Sequence, residues 1–111
     1  MAVTALCIIQ SKDAANVATA QYTAAAGVRT IIDKFTATNY SAGAQSLSIN
    51  LVPSGGAVAN SNLIKTKTLA AGECYVWPEI VGHTLNPGDF ISTTASAATS
   101  INIRASGREN S

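Results

Sequence analysis

The segment SLSINLVP, residues 46 to 53, alternates without a break. Leu47, Ile49 and Leu51 fall on one side, and Ser46, Ser48 and Asn50 on the other. A period of two places successive side chains on opposite faces of an extended chain, a pattern that no helix can bury. Near the C-terminus the alternation returns, with Ile101, Ile103 and Ala105 set against Asn102, Arg104 and Ser106. Two such segments, each half apolar and half polar, call for a second layer to cover one face.

Turn signals separate further β-rich runs at regular spacing. The sequence predicts strands over residues 3–10, 17–23, 28–39, 46–53, 63–69, 73–79, 90–95 and 100–105. The one helical candidate, residues 12–27, is rich in Ala, but its Thr and Val residues favour a strand. Nothing interleaves helices with strands, which argues against a parallel α/β sheet. The expected fold is all-β: a single antiparallel sandwich of about eight short strands over residues 1–111. It is jelly-roll-like, with an Ig-like topology as the alternative. Residues 1–4 and 107–111 are expected to be arms that order only against a partner. The stretch from Pro53 to Asn62 reads as an exposed loop.

Two turns share one form. TLAAGECYV and TLNPGDFIS each run Thr-Leu, two residues, Gly, an acid, then a β-run. Pro87 fixes φ at the first central position of a turn, and Gly88 supplies the positive φ that a type II turn needs next. Gly72 is expected to do the same. Asp89 and Glu73 then stand where a carboxylate stays wet or accepts a turn N–H. TAAAGVRTI is a looser third copy.

The same region holds the residues most suggestive of chemistry. His83 lies near Glu79 and Asp89, with Tyr75 and Trp77 upstream. A catalytic metal needs several ligands converging on one ion, and His83 is the only histidine of the chain. No G-x-S-x-G elbow and no Cys-x-x-Cys pair occurs. His83 is therefore read as a loop hydrogen-bonding residue, and the chain as no enzyme, with no cofactor and no metal. Cys7 and Cys74 read as reduced, buried core residues rather than a disulfide. Tyr75 and Trp77 share one strand face, with Cys74 and Val76 opposite. They are either core anchors or a docking contact. Pro78 ends regular pairing or marks an edge, and Lys65 and Lys67 can guard an edge strand.

Composition limits the partners. Of the 111 residues, 12% are charged and 5% aromatic, and the net charge is +1. No basic cluster exceeds Lys65-x-Lys67, so the footprint of a nucleic-acid binder is missing. No run approaches the ~20 apolar residues of a membrane helix. The N-terminus lacks the charged start of a signal peptide. A thin core of small β-formers under a weakly charged surface predicts completion by other copies or by a larger assembly.

IIDKFTATN, LSINLVPSGG, LAAGECYVWPEIVGHTLNPGDFIS and INIRASGREN resemble a family of small β-sandwich virion proteins of tailed bacteriophages. The resemblance runs from Tyr22 to Glu109, and its motifs are turns and strands. It implies a capsid decoration or cement protein that docks on the outer capsid lattice after assembly in the host cytoplasm. The major capsid protein and further copies of the chain, as dimer or trimer, would be its partners. A tail, baseplate or fibre protein that binds host glycan through Trp77 and Tyr75 is the alternative. Interface candidates are Tyr75, Trp77, Tyr40, Gly55, Gly56, Arg104 and Arg108; Gly72, Pro87, Gly88 and Asp89 are assigned to structural turns.

Overall fold

The structure, a computed structural model, describes residues 3–110. Nine strands follow one another: β1 (Val3–Asp13), β2 (Thr19–Thr23), β3 (Arg29–Asn39), β4 (Gln45–Val52), β5 (Leu63–Leu69), β6 (Cys74–Val76), β7 (Thr84–Leu85), β8 (Phe90–Ala95) and β9 (Ile101–Asn110). The only helical element among the described residues is a short 3₁₀ turn, Asn60–Asn62.

One sheet has the order β1-β9-β3-β6, with β7 also on β3, and the other the order β2-β8-β4-β5. All pairings are antiparallel. The pairs β1·β9, β2·β8, β3·β6/β7 and β4·β5 nest inside one another. The chain is thus one long hairpin wrapped across two sheets, which is the jelly-roll topology. The Ig-like alternative does not apply.

The alternating segments behave as their pattern demands. Leu47 and Ile49 of β4, and Ile101 and Ile103 of β9, are fully buried between the sheets. Ile9, Ile32, Phe35, Leu69, Trp77, Ile80, Leu85 and Ile91 complete the core. Loops are pinned by buried asparagines. Asn39 donates from Nδ2 to the carbonyls of Gly43 (2.9 Å) and Leu69 (3.0 Å), and its Oδ1 accepts from the Ser41 N–H at 3.0 Å. Asn50 donates to the Ala59 carbonyl and to Asn62 Oδ1, holding the 53–62 loop against the sheet.

Three expectations are corrected. The predicted strand at 73–79 shrinks to β6, and a separate short strand, β7, joins the same side of β3 further on. Between them Trp77 and Ile80 turn inward, while Trp77 N–H donates to Phe35 O and Gly82 N–H to Ile32 O. The C-terminal arm is strand: residues 107–110 pair with both β1 and β3. At the other end Val3 and Thr4 pair with Asn110 and Glu109; residues 1, 2 and 111 of the expected arms lie outside the described residues. Finally, the cysteines are not core. Cys74 is exposed and Cys7 partly so, and both are free.

Candidate functional site

Two carboxylates of the 71–92 stretch, Asp89 and Glu73, are spent on turns. Asp89 Oδ2 accepts the Asn86 N–H at 3.0 Å, and its Oδ1 accepts the Ser54 N–H at 2.9 Å. Glu73 Oε1 accepts the Ala70 N–H at 2.8 Å. Gly72 and Gly88 have φ of +77° and +88°, the left-handed region that their turns require. The shared form read from sequence is thus one structural device used twice, each acid capping the turn that precedes its strand. The third copy closes through Val28 N–H on Ala25 O, without an acid.

His83 is exposed. Its N–H donates to Ile80 O and its carbonyl accepts from Ile32 N–H, so its main chain ties the loop to β3. Among the described residues no three His, Cys, Asp or Glu side chains converge as a metal site would require. His83 borders a cavity of 350 Å³ beside β5, lined by apolar residues such as Leu51 and Leu85 and by polar ones such as Asn62, Thr84 and Asp89.

Trp77 is fully enclosed, against Phe35 with ring centroids 6.1 Å apart and Tyr75 at 5.3 Å, both edge to face. It is a core anchor, and its candidacy as a contact residue is withdrawn. Tyr75 is half-buried beneath Lys67, whose Nζ lies 5.0 Å from the ring centroid. Its hydroxyl donates to the Glu79 carboxylate, which also meets Lys65 at 3.5 Å. Lys65 and Lys67 stand opposite Ile49 and Leu47 on the core side of an edge strand. Inward-pointing lysines guard an edge against strand addition, and here they also bridge the two sheets.

This bridge sets the Glu79 titration. Burial alone would raise the carboxyl, but its own backbone N–H, the Tyr75 hydroxyl and the Lys65 ammonium together hold it below the ordinary 4.5. A lowered folded-state value contributes stability above the unfolded value and loses it as pH falls through the folded one. Lys65→Met is therefore expected to move the Glu79 carboxyl midpoint upward, as read by NMR titration.

The remaining candidates scatter. Tyr40 is exposed and donates to Asp13 Oδ2 at 2.9 Å. Gly55 (φ +78°) and Gly56 form an exposed turn closed by Gly56 N–H on Pro53 O. Arg104 and Arg108 stand on the outer face of the five-stranded sheet, and Arg108 Nε is paired with Asp33 at 3.0 Å. By register Lys34 and Arg29 share that face, as do Cys7 and Val3. Cys7 and Cys74 sit at opposite edges of this sheet, three strand spacings or at least roughly 14 Å apart. That exceeds the span of a disulfide.

The outer face of the other sheet differs in kind. Ser46, Ser48, Thr66, Thr68 and Thr94 occupy it, and none of its strand residues is charged. Ser48 and Thr66 hydroxyls bond across strands at 2.8 Å. Sequence reasoning found the polar side of β4 but not this face, because β5 reads as a lysine strand until register turns both lysines inward.

No protein-family model matches the chain, and no curated protein matches its sequence. Among solved structures it is similar to a chain of the disulfide-linked pili formed by Bacillus endospore appendages. The identity is 15% and the TM-score 0.53, over 99% of this chain and 87% of that one. This likeness shows a shared fold. A chain from infectious bursal disease virus, Gt strain, aligns at 11% identity and a TM-score of 0.40. This chain spans 32% of that one's length.

Proposed function

We propose that the protein is a non-enzymatic structural protein that coats a larger particle, and that the particle is the capsid of a tailed phage. The observation that carries this reading is the asymmetry of the two outer faces. One presents Ser and Thr hydroxyls without charge; the other presents Arg29, Lys34, Arg104, Arg108 and Asp33. A neutral face is covered at little cost in charge desolvation, while a charged face keeps the coat soluble on its far side. The hydroxyl face would lie on the major capsid protein, at the capsid surface. Repeated copies would then stabilise the shell by mass action.

The test is cosedimentation with bare, DNA-filled capsids. Thr66→Lys and Ser48→Lys are expected to weaken binding by about tenfold or more, because each strands a charge in the contact. Arg104→Ala should leave it within about twofold, as for a residue outside the contact. If Arg104→Ala disrupts binding and the two lysine variants do not, the docking face is the other sheet. Absence of any binding to capsids removes the coating role.

A second reading is a subunit of a surface appendage. The fold shared with the Bacillus pilus chain over nearly the full length of both favours it, and Cys7 and Cys74 both face outward. A tail, baseplate or fibre role through an aromatic sugar site loses its footing, because Trp77 is enclosed.

A further inference from the structure

Four of the seven cationic side chains come together on one face. Arg29 and Lys34 of β3 and Arg104 and Arg108 of β9 all stand exposed on the outer side of the five-stranded sheet. Only two of the six acids share that side: Asp33, and Asp13 at the end of β1. In sequence the two cationic pairs are remote, and the register of β3 on β9 brings them together.

The same register sets the spacing. Arg104, Ser106 and Arg108 occupy alternate positions of β9, about 7 Å from one to the next. Lys34 lies opposite Ser106 and so diagonal to Arg104, about 7–8 Å away. Arg29, opposite Asn110, extends the row. Hydroxyls stand between the charges, Ser106 beside Lys34 and Thr36 beside Arg104. Among the described residues the ion pairs are Lys65–Glu79 and Arg108–Asp33, so Arg29, Lys34 and Arg104 hold no carboxylate. A row of unpaired cations set among hydroxyl donors is complementary to a chain of anionic groups. The planar fork of arginine fits phosphate oxygens two at a time.

We infer that this face binds a flexible phosphate-bearing polymer of the class displayed on cell surfaces. The source of the polymer rests on the coating role proposed above: with the hydroxyl face on the capsid, the cationic face looks outward. Its chemistry rests on the face itself. None of the strand residues on this face is aromatic, so the bases of a single-stranded nucleic acid have no ring to stack on. β9 and β3 are interior strands of the sheet, so neither enters a duplex groove as a helix or a two-stranded ribbon does. What the face offers is charge at regular intervals along a strand, which a flexible chain can follow without base recognition.

The probe is long-chain inorganic polyphosphate, titrated into the purified chain without any particle and followed by calorimetry at several salt concentrations. Saturable binding is expected at about 20 mM salt, with log K falling against log salt at a slope of about −2 to −3, as for three or four cations on a flexible polyanion. Lys34→Ala and Arg104→Ala should each weaken binding about threefold to tenfold and flatten the slope by about 0.7. Circular dichroism confirms the fold of each variant. Arg104→Ala combined with Thr66→Lys keeps the net charge but moves one cation to the other sheet, and its binding should stay weak. No saturable binding by wild type overturns the inference, as do single variants that bind like wild type. Recovery in the double variant also overturns it, because net charge rather than this face is then what the polymer reads. A single-stranded oligonucleotide bound as tightly as polyphosphate, charge for charge, overturns the polymer class and points to nucleic acid. Capsid binding is read separately, so its absence while polyphosphate binds removes the coating role and leaves this site standing.

Discussion

Trp77→Ala is expected to destabilise the protein by about 3–5 kcal/mol, the range for removing a buried aromatic from a core. Domains of this kind hold roughly 5–15 kcal/mol in total, so the variant sits near the edge of folding. In thermal unfolding the midpoint should fall by about 10–25 °C. Trp77 is the largest fully buried side chain, and it ties the end of β6 to β3. It abuts Phe35 of β3 and Tyr75 of β6, and its own N–H is bonded to the Phe35 carbonyl. Truncation opens a cavity where β6 gives way to the loop before β7, and the ring of Tyr75 loses its neighbour. Trp77→Phe should be far milder, about 1–2 kcal/mol. The indole Nε1 is buried without a partner, so the smaller ring forfeits no hydrogen bond and removes an unsatisfied donor. If Trp77→Ala unfolds at nearly the wild-type temperature, the indole is not the keystone of this edge and a surface role returns to it.

What was legible in the sequence was local. Strict alternation located β4 and the first half of β9, and the Gly-acid pairs at 72–73 and 88–89 located two turns together with the bonds their carboxylates make. Alternation also held the answer for the cysteines. Cys74 falls opposite Tyr75 and Trp77 in a two-residue period, so burying the aromatics exposes the thiol. The expectation of buried cysteines followed average behaviour and overlooked that parity. What could not be read was non-local. Lys65 and Lys67 point inward only because of the register β5 takes on β4, and their partners Tyr75 and Glu79 lie on β6 of the opposite sheet and in the loop after it. Asn50 looked like one more solvent-facing residue of β4, yet the 53–62 loop folds over it.

Gly107→Ala is the second large effect, expected at about 3 kcal/mol, the upper part of the range for overpacking. The residues Gly107 to Asn110 have the composition of a solvated tail, being polar and opened by a glycine. In the fold β9 lies between β1 and β3, with Gly107 opposite Leu6 on one side and Ile32 on the other. A Cβ added at Gly107 would stand 2.5 Å from the Ile31 carbonyl oxygen and 3.5 Å from Ile8 Cδ1. The first contact is with backbone, which cannot rotate away. Nor can β9 retreat, since moving off β3 breaks its ladder with β1. The cost must therefore appear as lost pairing near the strand end, where Glu109 also accepts the Tyr22 hydroxyl at 2.6 Å and joins the two sheets. Gly43→Ala is the control: a Cβ there meets nothing within 4 Å, and the substitution should be close to neutral. Denaturant melts of the two variants side by side decide the matter. A Gly107→Ala midpoint well below that of Gly43→Ala places the C-terminal segment inside the sheet. Equal midpoints would mean that β9 ends before Gly107 and that the last residues are free to act as an arm.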